Sequence, residues 1–161
     1  MSQQPIRVGM LGAGLISDYH LTGLQQAGAE LVSIFSRTPA KARAKAAQFW
    51  IPHYTANYTE LLGRADVDAV VITTPDYTHA EVAIAAAQAG KAILLQKPMA
   101  RNSSECRAIL QAAETAGVPL FVSFMHRYFV EIERTRDSDV LAEARSVRGS
   151  YKGAFVSALN R

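Results

Sequence analysis

Apolar positions along this chain follow two alternating rhythms. Short runs that are apolar at nearly every position occupy 6–11, 30–35, 68–73, 91–95 and 120–124. Strands buried on both faces of a parallel sheet read this way. Between the runs lie longer stretches with apolar residues every three or four positions, the period of a helix that packs by one face. The first helix is expected to place Ile16, Tyr19, Gly23, Leu24 and Ala27 together. Further helices are predicted over 39–50, opening on Pro39, over about 80–89, and after an Asn102-Ser103-Ser104 cap. Thr78 or Asp76 stands at the cap position of the third. The last helix would bury Cys106, Ile109, Leu110, Ala113 and Ala116. His53, Tyr54 and Tyr58 fall in loop and short-helix territory. Strand and helix alternate five times, which predicts an α/β doubly wound fold with helices on both faces of a parallel sheet. From Met125 the character changes to a charged helix over about 130–137 and a strand-like alternation over 144–153. A lone strand is not stable, so this tail starts a second domain, extends the sheet edge or pairs with another chain.

Composition narrows the class. The 161 residues are 49% apolar, enough for one domain with a proper core. No apolar run reaches membrane-spanning length, and the opening Met-Ser-Gln-Gln-Pro lacks the shape of a signal peptide. The cytoplasm is therefore the expected compartment. The single cysteine, Cys106, excludes an intrachain disulfide and a cysteine metal cluster within this sequence. No second histidine accompanies His53 at metal spacing, and no metal site is expected. Net charge is +3. The basic residues are not interleaved with aromatics along one stripe, which argues against a nucleic-acid partner.

Candidate chemistry gathers where strands end. The first apolar run enters Gly12-Ala13-Gly14 and a helix leaves it through Leu15, Ile16 and Ser17. Strand, glycine turn, helix is the opening of a dinucleotide-binding βαβ unit, a Rossmann-type sheet. Gly12 permits a tight turn. Gly14 lets backbone approach a pyrophosphate seated on the N–H groups of the helix. Ser17 stands where the fingerprint has Gly or Ala, and is small enough for close packing. The residue at the tip of the second strand selects the cofactor: an acid favours NAD, an arginine nearby accommodates the 2′-phosphate of NADP. Here Ser36 and Arg37 take that place, and Lys41, Arg43 and Lys45 follow with no acid among them. NADP is the expected preference, with NAD possible. Thr73, Thr74, Pro75 and His79 follow the third run, and Gln96-Lys97-Pro98 follows the fourth, at the edge where open α/β sheets bind ligands. A lysine in a partly dry cleft takes part in proton transfer. By position alone, the solvated turn residue is the better reading of Lys97, ahead of a catalytic one.

Together these residues resemble the Gfo/Idh/MocA oxidoreductases, the family of glucose–fructose oxidoreductase and inositol 2-dehydrogenase. The resemblance rests on Gly9-Met-Leu-Gly12-Ala-Gly14-Leu-Ile-Ser17 with His20 soon after, Thr74-Pro75-Asp-Tyr-Thr-His79, Ala89-Gly90-Lys91, Gln96-Lys97-Pro98 and Arg127-Tyr128-Phe129. It implies hydride transfer between a nicotinamide cofactor and a sugar, polyol or related carbonyl compound. It implies that the turn from Gly12 through Gly14, Leu15 and Ile16 holds the pyrophosphate and that Ser36 and Arg37 face the adenosine ribose. It further implies that Thr73, Thr74, Pro75 and His79 line the path to the nicotinamide, and that Gln96 and Lys97 stand beside it, Lys97 as the catalytic residue. Gln96 replaces the family's glutamate and carries no charge. The resemblance also implies a division into residues 1–125, the NAD(P)-binding domain, and 126–161, the beginning of an incomplete α+β substrate domain. A completed second domain would bring a homo-oligomer. The rival expectation is a nucleotide-binding module without catalysis, or a truncated family member lacking the substrate site.

Overall fold

The computed structural model describes residues 4–124. The readings that concern 126–161 lie outside the described residues. Six strands form one parallel sheet: β1 (Arg7–Leu11), β2 (Glu30–Phe35), β3 (His53–Thr55), β4 (Ala69–Ile72), β5 (Ala92–Gln96) and β6 (Leu120–Ser123), in the order β3-β2-β1-β4-β5-β6. The helices are α1 (Leu15–Gln26), α2 (Pro39–Phe49), α3 (Tyr58–Leu62), α4 (His79–Gln88) and α5 (Ser103–Ala116). This is the doubly wound order in which the chain reverses direction between β1 and β4, leaving a crevice at their carboxyl ends.

Alternation along each strand feeds two cores. Val8, Met10, Ala69, Val71, Ala92 and Leu94 join Leu21 and Leu24 of α1 and Ala46 and Phe49 of α2 on one face. Leu11, Val70, Ile72, Ile93 and Leu95 join Leu61 of α3, Val82 and Ala83 of α4, and Ile109 of α5 on the other. Both faces are covered, so the central strands carry apolar residues at most positions.

Three local readings are corrected. His53–Thr55 is a strand, not loop, paired with Ser33–Phe35 at the sheet edge. Three residues, His53, Tyr54 and Thr55, directly after Pro52, carry too little apolar signal to announce it. Helix α1 is rotated from the expected face: Ser17, His20, Leu21, Gly23 and Leu24 are buried, while Tyr19 is 66% exposed. The buried stripe contains a histidine and a serine, which hydropathy counts as outward-facing. In α5 only Ile109 and Ala113 are buried; Cys106 is half-buried and Leu110 exposed, because the helix meets α4 along a narrow stripe. Two Asn caps, Asn57 on α3 and Asn102 on α5, accept backbone N–H groups as such residues do. The helix at 79–88 has no side-chain cap; Thr78 Oγ1 is spent on Pro75 O and Thr74 Oγ1 instead.

Candidate cofactor site

Register brings the site together. Leu11 pairs with Phe35 on one side and Ile72 on the other, so the residues that follow, Gly12, Ser36 and Thr73, emerge side by side. Two hydrogen bonds close the tips: Gly12 N–H donates to Phe35 O at 3.0 Å and Thr73 N–H to Leu11 O at 2.8 Å. Gly12 has φ +124°, and a Cβ there would lie 2.9 Å from the carbonyl carbon and oxygen of Thr73. Only glycine fits. Thr73 is buried behind this contact, its hydroxyl turned back to Leu11 O at 3.3 Å.

Gly14 is the reverse case. Its backbone is extended, φ −83° and ψ −178°, and a Cβ would meet nothing within 4 Å. It caps α1 without a side-chain hydrogen bond; the Ser17 N–H donates to Gly14 O at 3.1 Å, and the Leu15 and Ile16 N–H groups have no side-chain cap. The Ser17 hydroxyl donates to Gly14 O from a fully buried position, which explains how serine replaces Gly or Ala here. Leu15, the first residue of α1, is 88% exposed.

A groove of about 360 Å³ runs over the turn, bordered by Gly12, Gly14, Ser36, Arg37, Lys41 and Thr74. A neighbouring cleft of about 400 Å³ shares Phe35, Arg37, Thr74 and Pro75 with it and adds Asn57, Tyr58 and Val82. Phe35 and Tyr58 meet edge to face at 5.9 Å between ring centres. The Tyr58 hydroxyl donates to Glu81 at 2.6 Å, and this bond holds the phenol above its ordinary pKa. Arg37 borders both spaces. These residues fit a dinucleotide: an open helix N-terminus for diphosphate, a basic residue at the β2 tip for ribose substituents, and apolar walls for a flat ring.

The loops after β4 and β5, where the nicotinamide is expected, are arranged differently. His79 is buried, its Nδ1 2.8 Å from Pro98 O and its Nε2 2.9 Å from Thr74 O. The ring thus ties the loop after β4 to the loop after β5 and aims neither nitrogen into the groove. Gln96 is buried; its Oε1 accepts the Lys97 N–H at 2.8 Å and its amide reaches His20 Nε2 at 3.4 Å. Lys97 is exposed at the carboxyl edge. Sequence reasoning did not single out Tyr77, whose hydroxyl accepts from Arg37 Nη2 at 3.0 Å. Its place between Pro75 and His79, on the ligand-binding edge, was the available signal.

Fold and site together define a dinucleotide-binding α/β domain. A family model described as an oxidoreductase family with an NAD-binding Rossmann fold matches residues 6–124, and the chain belongs to that family. It is 36% identical over 124 residues to the 4-carboxy-2-hydroxymuconate-6-semialdehyde dehydrogenase of a Sphingobium species, covering 76% of this chain and 39% of that protein. It is 31% identical to inositol 2-dehydrogenase 2 of Saccharopolyspora erythraea, covering 92% of this chain and 46% of that protein. Among solved structures it resembles the WlbA dehydrogenase of Bordetella pertussis in complex with NADH and UDP-GlcNAcA, with TM-score 0.74, 32% identity and coverage of 79% and 37%. It also resembles a Y186F mutant of KijD10, a 3-ketoreductase of Actinomadura kijaniata in complex with TDP-benzene and NADP, with TM-score 0.77, 30% identity and coverage of 87% and 43%. The chain spans less than half the length of these relatives.

Proposed function

We propose that this chain is the cofactor-binding part of an NADP-preferring oxidoreductase that acts on a sugar, polyol or related hydroxyl or carbonyl compound. The observation that carries the preference is Arg37: it stands at the β2 tip beside Ser36, borders the glycine-turn groove with Lys41, and has no carboxylate partner among the described residues. An acid there would repel a 2′-phosphate, whereas a guanidinium binds one through parallel charged hydrogen bonds. Solved relatives are found with NADH and with NADP, so the family alone does not choose.

The nicotinamide, when bound, supplies or accepts the hydride. The chain's residues bind and orient it. The first turn of α1 takes the diphosphate, Ser36 and Arg37 take the adenosine ribose, and Thr74 and Pro75 border the path along the sheet edge. Lys97 would hold or deliver a proton at Nζ to the substrate oxygen, from a backbone position fixed by Gln96. Substrate breadth follows the relatives, which include inositol 2-dehydrogenases and a dehydrogenase solved in complex with UDP-GlcNAcA.

Fluorescence titration with NADPH and NADH tests this. NADPH is expected to bind at least about tenfold more tightly, and Arg37→Ala to abolish the difference, because a charge-assisted hydrogen bond contributes about 1.5–3 kcal/mol. Equal affinities in the unaltered protein overturn the NADP preference.

A further inference from the structure

Arg7, Arg64 and Arg101 each close on a carboxylate. Arg37 closes on a phenol. Its Nη2 donates to the Tyr77 hydroxyl at 3.0 Å, and its guanidinium carbon lies 6.0 Å from the centre of the Tyr77 ring. A phenol restrains a guanidinium without neutralising it. The two residues come from different strand ends: Arg37 follows β2, and Tyr77 lies in the single turn 76–78 between β4 and α4.

That turn is held firmly. Thr78 N–H donates to Pro75 O at 2.9 Å, and Thr78 Oγ1 lies 2.7 Å from Pro75 O and 2.9 Å from Thr74 Oγ1. The buried His79 ring ties Thr74 O to Pro98 O next to it. Arg37 itself is exposed. A fixed turn therefore orients a side chain that would otherwise sample many rotamers. The Tyr77 oxygen accepts from Arg37, while its O–H has no acceptor among the described residues and is free to donate. The guanidinium so held offers donors to a phosphate, beside a groove also bordered by Lys41.

We propose that Tyr77 is a specificity-determining positioning residue, which holds Arg37 uncompensated and oriented at the β2 tip so that an adenosine bearing a 2′-phosphate is selected. This rests on the assignment of Arg37 to the adenosine ribose. Ordering a free arginine on binding costs affinity, and a residue that has already restrained it removes part of that cost.

The test is calorimetric binding of 2′,5′-ADP and 5′-AMP to the full chain, for the unaltered protein, Tyr77→Phe, Arg37→Ala and the double variant. Tyr77→Phe keeps the half-exposed ring and removes only the hydroxyl; an unchanged melting temperature establishes that the fold is intact. It is expected to weaken 2′,5′-ADP about three- to tenfold and to leave 5′-AMP within about twofold. In the Arg37→Ala background it should add no further loss, the mark of a coupled pair. If Tyr77→Phe leaves both probes unchanged while Arg37→Ala erases the preference, the Tyr77 role is wrong and the Arg37 assignment stands. Equal losses for both probes would reveal a merely structural role and overturn the inference. An unaltered protein with no preference for 2′,5′-ADP removes the assignment of Arg37 and this inference with it.

Discussion

Two glycines two residues apart do opposite work, and their substitution should separate stability from binding. At Gly12 the backbone is left-handed and a Cβ would drive into the Thr73 carbonyl, which the strand pairing holds in place. Gly12→Ala is therefore expected to cost about 2–4 kcal/mol of folding stability, read by urea denaturation. At Gly14 the backbone suits any residue and the added methyl meets open space. Gly14→Ala should stay within about 0.5 kcal/mol of the parent in stability, and lose dinucleotide affinity by about tenfold or more, because the methyl occupies the approach to the α1 N–H groups. Parent-like cofactor affinity in Gly14→Ala would place the diphosphate elsewhere. Ser17 belongs with this pair: its hydroxyl returns to Gly14 O, so a polar residue serves in the tight helix–strand contact.

At the scale of elements, the loops that follow β4 and β5 are joined by one side chain. Removing the buried His79 ring leaves Thr74 O and Pro98 O without their partner and opens a gap between the two loops. His79→Ala is expected to cost about 2–4 kcal/mol in denaturant unfolding and to weaken NADPH and NADH alike, since it loosens a wall rather than a specificity contact. A loss confined to one cofactor would contradict that role. The resemblance placed His79 at the site, but its partners are carbonyls 5 and 19 residues away, which no local pattern reveals. The same limit ran through the molecule. Central strands β1, β4 and β5 were legible because burial on both faces leaves them apolar throughout except at Arg7 and Gln96, at their ends. Edge strand β3 was not, being short and half polar. The face of α1 was misjudged because His20 and Ser17 are buried through hydrogen bonds, a property of their partners rather than of their hydropathy. The glycine turn and the Ser36–Arg37 tip were read directly, whereas the Arg37–Tyr77 contact joins residues 40 apart and needed the fold.

For the molecule as a whole, the sheet order puts β1, at the reversal of strand order, between the neighbours that carry Arg37 and Thr74. A dinucleotide laid across these tips would touch the ends of β1, β2 and β4 at once, and so bind the folded state alone. Linkage then requires stabilisation: at a free concentration one hundred times Kd, a ligand specific for the folded state adds about 2.7 kcal/mol. For a domain of this size that raises the melting temperature by several degrees. With NADPH and NADH at equal concentration, the shift should be larger for NADPH by an amount set by the ratio of their dissociation constants. In Arg37→Ala the two shifts should coincide at the NADH value, because the remaining contacts are common to both cofactors. A melting temperature indifferent to both would mean that the crevice does not hold a dinucleotide in this chain. Equal shifts in the unaltered protein would mean that it holds one without reading its 2′ position.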